Sequence, residues 1–412
     1  MKEKLAVCHT AYKAVLEGEL TYYERKLAEL QGSRCRSILK KQTEQLNKDG
    51  HFSANDAWKI KKKMFPKSSD APFAVHDGQG NLVTDYNGIL DVLKEEFRFR
   101  LRNREINPDY AELLELKEYL CQLRLRITKL KDFKKWKLED LEYSIKKLKD
   151  NKCRDPHGHI NELYKHMGKD GLLSLLDLLN RIKEVIMIPS KLQLSNVTTI
   201  YKGKGSKQDV VNLRGIFKLP IIRNILDRMI CVEEEKQVSQ SMGPFQVGNQ
   251  KDRNIRDHTL IVHAAIKEAQ EQNLSIDIIF TDIKQCFDSI WLDEAVNDLY
   301  TSGINSRNLN LLHEGNKKTS MCVETSFGKS ERTELNKIVM QGSVSGGLFC
   351  SNQISKLCNK LYKEGNVYIY GGKIPIPPLA MVDDIAAITI CNSIEALDTS
   401  IKTDTLTFNG KN

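Results

Sequence analysis

The chain has 412 residues, 40% hydrophobic and 28% charged, with a formal net charge of +9. That length supports two or three domains with a sizeable core, and the excess of basic residues favours a polyanionic partner. No apolar run reaches about 18 residues and Met1-Lys2-Glu3-Lys4 leads into no signal-like stretch, which argues against a secreted or membrane-spanning protein.

Residues 1 to about 50 read as helix, with Leu5, Tyr12, Val15, Leu16, Leu20 and Tyr23 at roughly helical spacing. A basic run follows Trp58 (Lys59, Lys61, Lys62, Lys63, Lys67), and Ser68-Ser69-Asp70-Ala71-Pro72 looks like a linker. Asp77-Gly78-Gln79-Gly80-Asn81 is a turn signal. From Tyr86 to Leu148 the pattern is helical again, and the alternating Arg98, Arg100, Arg102 and Arg104 read as a solvated face. The segment Cys153-Arg154-Asp155-Pro156-His157-Gly158 breaks that helix, and an amphipathic helix over Leu172–Ile188 stops at Pro189.

Asn196–Tyr201 is β-branched and predicts a strand, which enters the basic turn Lys202-Gly203-Lys204-Gly205 and returns through Val210 to Phe217. Helices are expected over Ile221–Val232, His258–Glu268 and Leu292–Tyr300, the last closed by Gly303. Strands are expected over Ile276–Thr281, Met321–Thr325 and Leu379–Val382, the last turning at Asp383-Asp384 into Ile385–Ile390. An α+β domain with an antiparallel sheet follows. Ten cysteines without a C-x-x-C pair fit reduced thiols in an intracellular protein, located in the nucleus or cytoplasm. His157, His159 and His166 near Cys153 match no zinc module.

Three segments occur in order, the first and last centred on carboxylates: Thr281-Asp282…Phe287-Asp288, Gln341-Gly342-Ser343, and Met381-Val382-Asp383-Asp384. Phosphoryl transfer between nucleotides needs the attacking and leaving oxygens held in line with charge stabilised on both. Two Mg2+ ions roughly 3.5–4 Å apart do this, held by hard carboxylate oxygens. Asp282 at a strand end and Asp383 and Asp384 at a hairpin tip, on neighbouring strands, would converge on one spot. Phe287 could lie under the sugar and exclude a 2′-hydroxyl. Gln341-Gly342 would let the backbone approach a base pair, with Gly346-Gly347 as a second bend. Lys202, Lys204 and Arg214 could grip a triphosphate. Singly, each has a plainer reading: Asp282 caps a turn, Asp383-Asp384 is only a hairpin turn, Phe287 packs in the core, and the lysines are solvated.

These segments resemble the reverse transcriptase domain of non-LTR (LINE-type) retrotransposons. The family's first motif, an Asp followed five positions later by an aromatic and then Asp, is matched by Asp282, Phe287 and Asp288. Its Gln-Gly motif is matched by Gln341-Gly342, and its aromatic-x-Asp-Asp motif by Met381-Val382-Asp383-Asp384, with Met in place of the aromatic. Its fingers segment is similar to Lys202-Gly203-Lys204…Arg214-Gly215-Ile216, and Lys152–Gly158 is similar to an upstream segment. Ser345-Gly346-Gly347 departs from the family's usual Leu-Ser-Pro.

The resemblance covers roughly residues 150 to 412. It implies a right-hand polymerase fold: a mostly helical N-terminal extension over 1–150, fingers over 151–270 and palm over 271–412. It also implies two Mg2+ ions (or Mn2+) at Asp282, Ile283, Asp383 and Asp384, with dNTPs, an RNA template and a DNA primer or target as partners. The chain stops at Asn412, near a family lysine matched by Lys411 and before a thumb, and no endonuclease-like segment precedes residue 1. The expectation is therefore a piece of a longer polyprotein. Two other readings stay open, a catalytically silent nucleic-acid-binding remnant and an RNA-dependent RNA polymerase, although Phe287 and Gln341-Gly342 argue against the latter.

Overall fold

The computed structural model describes residues 74–102, 108–243, 246–283, 286–304, 306–364 and 367–391. The helix expected over 1–50, the basic run after Trp58, the linker at Ser68–Pro72 and Lys411 lie outside the described residues. The chain divides into two compact units, Met1–Asp70 and Ala71–Asn412, and every described residue belongs to the second.

That unit begins with a hairpin of β1 (Val75–His76) and β2 (Leu82–Val83). The Asp77 carboxylate accepts the amides of Gln79 and Asn81, and Gly80 takes the left-handed conformation the turn requires (φ 85°). Helices α1 (Tyr86–Arg102), α2 (Pro108–Lys129), α3 (Leu138–Lys146), α4 (Asn161–Lys165) and α5 (Lys169–Val185) follow. In α5, Leu175, Leu179 and Ile182 form one buried stripe, and Ile186 in the left-handed region ends the helix before Pro189.

Strands β3 (Leu194–Tyr201) and β4 (Leu213–Lys218) pair antiparallel, with Tyr201 opposite Leu213. Helices α6 (Ile221–Glu233), α7 (Glu235–Met242) and α8 (Ile255–Glu271) lead to β5 (Ser275–Asp282). An Asn254–Asp257 capping box starts α8. Then come α9 (Cys286–Ser289), α10 (Leu292–Thr301), α11 (Arg307–Lys317), β6 (Lys318–Thr325), β7 (Gly328–Lys329), β8 (Thr333–Asn336) and α12 (Val344–Glu364). The described chain closes with β9 (Ile369–Tyr370), β10 (Ile374–Pro375), β11 (Leu379–Met381) and β12 (Asp384–Cys391). No helix among the described residues is long and apolar enough to cross a membrane.

Two sheets organise these elements. One has the order β11-β12-β5 and is antiparallel throughout. The other has the order β4-β3-β6-β7, with β8 also on β6. The antiparallel expectation fails in this second sheet, because β3 and β6 run parallel. They are joined through helices long enough to carry the chain back, which is what a parallel pair requires. Strands from 194–218 and 318–336 thus share one sheet, across the expected 270/271 division.

Residues 74–146 do not form a separate extension either. Ile89, Leu93 and Phe97 of α1 pack with Val197, Leu213, Phe217 and Met321 of the mixed sheet. Leu125 of α2 and Leu141 of α3 enter the large helical core with Leu226, Leu312 and Phe349. A third, smaller core joins Ala265 of α8 to Leu379 and Ile388 of the β11-β12-β5 sheet.

Candidate active site

Strand β5 ends on Asp282 and β12 begins on Asp384, and the register places these two residues directly opposite each other. Opposed α-carbons in an antiparallel pair are about 4.5–5.5 Å apart. On its other side Asp384 pairs with Met381, so Val382-Asp383 is a two-residue turn. Of the two adjacent aspartates only Asp383 lies in the turn, and Asp384 is the first residue of the returning strand. Val382 has φ 61°, an uncommon conformation for a β-branched residue.

A residue that the sequence reading missed holds that conformation. Gln246 is fully buried, and its Oε1 accepts the Val382 amide at 2.7 Å and the Gly248 amide at 2.8 Å. Its Nε2 donates to the Val382 carbonyl at 3.0 Å. Both peptide groups of the strained residue are therefore satisfied by one side chain. Val247 adds a backbone bond to Ala380. A Cβ on Gly248 would stand 2.6 Å from the Val382 nitrogen, so only glycine fits. Next in the chain, the Asn249 amide donates to the Gly347 carbonyl (3.1 Å) and the Ser351 hydroxyl (2.9 Å) of α12. The turn at 246–249 thus clamps the hairpin tip to the helix after Gln341-Gly342. A Gln-x-Gly triplet between two helices carries no periodic signature in the sequence.

Phe287 and Asp288 lie on the short α9, where Phe287 is half-buried against the large core. Asp288 acts on Lys202, placing the end of the basic hairpin beside this turn. Lys202 Nζ donates to the Val211 carbonyl at 2.7 Å. Burial first, and then the charges of Arg100 and Arg214, hold its ammonium below the usual lysine range. Arg100 belongs to the row expected to be solvated, yet its side chain is buried. Its guanidinium donates to the carbonyls of Leu213 (2.9 Å) and Val210 (2.6 Å), pinning α1 to the hairpin. Lys204 is exposed between Gly203 and Gly205, both in the left-handed region, and Arg214 is exposed on β4.

Gln341 and Gly342 pack against β4. The Phe217 amide donates to the Gln341 carbonyl at 2.9 Å, and a Cβ on Gly342 (φ 109°) would stand 2.7 Å from the Phe217 carbonyl oxygen. The close approach that demands glycine here is to the protein's own strand. Gly346 and Gly347 form no second bend but lie inside α12. There a Gly346 Cβ would meet the Met340 carbonyl oxygen at 2.3 Å. Ser345 donates to Asp227 (2.7 Å), which pairs with the wholly buried Arg223 of α6. Asp155 has a structural task in its segment: it accepts the amides of His157 and His159, and its second oxygen accepts the Ile221 amide that opens α6. Cys286 of α9 and Cys350 of α12 meet at 3.1 Å, and that contact, with burial, pushes the Cys350 thiol far up.

The structure therefore brings Asp282, Asp383 and Asp384 to one end of one sheet. It also places Lys202, Arg214 and Asp288 near one another, and sets Gln341-Gly342 against β4, the strand that carries Arg214. Residues 207–401 match the reverse transcriptase (RNA-dependent DNA polymerase) family. The matched span is just under half of the chain and holds every candidate site residue except Lys202 and Lys204. It supports RNA-directed DNA polymerase activity in general terms, and with it a nucleic-acid template, a primer and nucleotide substrates. No curated protein matches the chain.

Proposed function

We propose that the protein is an RNA-directed DNA polymerase that adds dNTPs to a primer 3′-end by two-metal nucleotidyl transfer, as part of a non-LTR (LINE-type) element. The observation that carries this reading is the pairing of Asp384 with Asp282, with Asp383 in the adjoining turn. Asp282, Asp383 and Asp384, with Ile283 beside them, would hold two Mg2+ ions, or Mn2+ in their place. The donor set fits hard cations, because it offers carboxylate oxygens without sulfur or imidazole. When bound, the ions supply positive charge against the phosphate oxygens.

The chain's own groups do the rest. Arg214, Lys202 and Lys204 draw the triphosphate to the hairpin side, Arg214 as a planar fork. Phe287 narrows the space under the sugar. Gln341 and Gly342 form the floor where the fingers strand meets α12. The RNA template and DNA primer are the partners, and the site of action is intracellular, in nucleus or cytoplasm.

Oligo(dT)-primed extension on poly(rA) with dTTP and Mg2+ tests the reading. Extension by the unsubstituted protein that Asp383→Asn abolishes is the expected result. Steeply salt-dependent RNA binding without synthesis makes the chain a catalytically silent remnant instead. Equal use of dNTPs and rNTPs removes the role given to Phe287.

A further inference from the structure

Away from the paired aspartates, three helices meet around a group of mixed ligands. Cys121 of α2, Asp293 of α10 and His313 of α11 each offer an atom, and these atoms all lie within 4.8 Å of one another. Cys121 and His313 are buried, and Asp293 is nearly so. His313 Nε2 stands 3.3 Å from Asp293 Oδ1. Two ligands each about 2.0–2.2 Å from a tetrahedral zinc ion are separated by roughly 3.3–3.5 Å. That pair already has the spacing of a coordination edge, and the cysteine closes the third corner.

The surroundings match as well. The other ring nitrogen, His313 Nδ1, faces the Glu314 carboxylate at 3.8 Å, the arrangement that orients a metal-bound imidazole. Asp293 Oδ2 is held by Lys337 at 2.8 Å, which leaves Oδ1 as a single-oxygen ligand. Lys337 is itself paired with Glu118. A thiolate and one carboxylate therefore balance a divalent ion, while the lysine is neutralised from outside. A cavity of about 760 Å³ between α2 and α10 is lined by Asp293 and Lys337, so the carboxylate edge of the group borders open space. One sulfur, one imidazole and one carboxylate select a borderline-soft ion over Mg2+.

We propose that Cys121, Asp293 and His313 bind one zinc ion that ties α2 to α10 and α11. Binding displaces the thiol proton and any second proton on the imidazole, and it involves no redox change. The proposal shares no residue with the polymerase reading and stands whether or not that reading does.

The test uses the full chain, freed of metal by chelation and titrated with Co2+ as a spectroscopic probe, then with Zn2+. One cobalt per chain is expected, with near-ultraviolet thiolate-to-cobalt absorption that one equivalent of zinc bleaches. Cys121→Ser removes that absorption, and Glu314→Gln weakens zinc binding by about 10- to 100-fold. Because the chain has ten cysteines, absorption that survives Cys121→Ser overturns the assignment. So does its absence from the unsubstituted protein, in which case the three residues form only an ion pair with a neighbouring thiol. X-ray absorption at the zinc edge of the unsubstituted protein decides without any variant. One sulfur at about 2.3 Å among nitrogen and oxygen ligands supports the site, and no sulfur, or more than one, rejects it.

Discussion

The two sheets differ in how much of their surface is covered. In the mixed sheet, Val197, Leu213, Met321, Val323 and Leu335 are all fully buried, and α1 seals one face. In the sheet that ends at Asp282 and Asp384, Phe280 is 78% exposed, whereas Ala380 and Ile385 are buried in the large helical core and Leu379 and Ile388 pack with Ala265 of α8. The first sheet is held by packing. The second is packed on one face only, and at its hairpin tip polar clamps add to that packing, chiefly the three hydrogen bonds of Gln246. Under the proposed function this strand end receives a nucleic acid and a nucleotide and has to stay open, so side-chain hydrogen bonds fix the geometry of its exposed tip.

The largest effect that sharpens this contrast is on turnover. Asp383→Asn removes one carboxylate charge from the hairpin turn and leaves every Gln246 bond in place. Losing several kcal/mol of charge stabilisation corresponds to about 10³-fold or more in rate. Primer extension should collapse by that factor, while the melting temperature stays within a few degrees of the unsubstituted protein. Equal loss of rate and fold would mean that the turn aspartate is structural.

Apolar truncation should divide the two sheets next. Leu213→Ala empties a fully buried site in the mixed sheet and should cost about 2–5 kcal/mol in a denaturant titration. Phe280→Ala, a larger truncation on the other sheet, should change stability by no more than about 0.5 kcal/mol. Similar losses from both would refute the claim that the Phe280 face of the second sheet carries little packing.

Gln246→Ala follows, at about 1–3 kcal/mol, because it leaves the amide and carbonyl of Val382 without their side-chain partners. Its signature should be disproportionate. Hydrogen exchange at the hairpin should accelerate more than exchange in β3 or β6, and extension should slow more than the stability loss accounts for. Uniform exchange changes across both sheets would remove the clamp role.

The same contrast explains what could be read from the residues in order. The β-branched runs 196–201 and 276–281 carry their own strand signal, so β3 and β5 were legible, and so was their delivery of Asp282 to a strand end. Stripes such as Leu175-Leu179-Ile182 made α5 legible. Partners distant in sequence were not. Nothing in Lys318–Thr325 says that it lies parallel to β3, and no local pattern links Gln246 to Val382, since a buried amide reports its partner only in the folded state. Arg100 misled because its neighbours in the alternating row read as solvent-facing, whereas two carbonyls of the basic hairpin call it inward. Gly342 was legible as a close-approach glycine, but the approaching group is β4 itself.

The smallest expected effect concerns pH and the cover of the clamped sheet. His258 is buried in the first turns of α8, the helix whose Ala265 packs on Leu379 and Ile388. Burial first, then the charge of Arg253, lowers its pKa below the ordinary 6.5 against the opposing pull of Asp257. The folded state therefore resists protonation that the unfolded chain accepts. Stability carried by the neutral ring is complete above about 6.5 and declines as pH falls from there through the depressed folded value. His258→Gln, which cannot take up a proton, should flatten that part of the stability–pH curve. Hydrogen exchange should place the acid-induced opening in α8 and β12 and not in the mixed sheet. An acid transition of the same slope in His258→Gln would assign it to other groups, and opening in β3 and β6 would show that the two sheets melt as one.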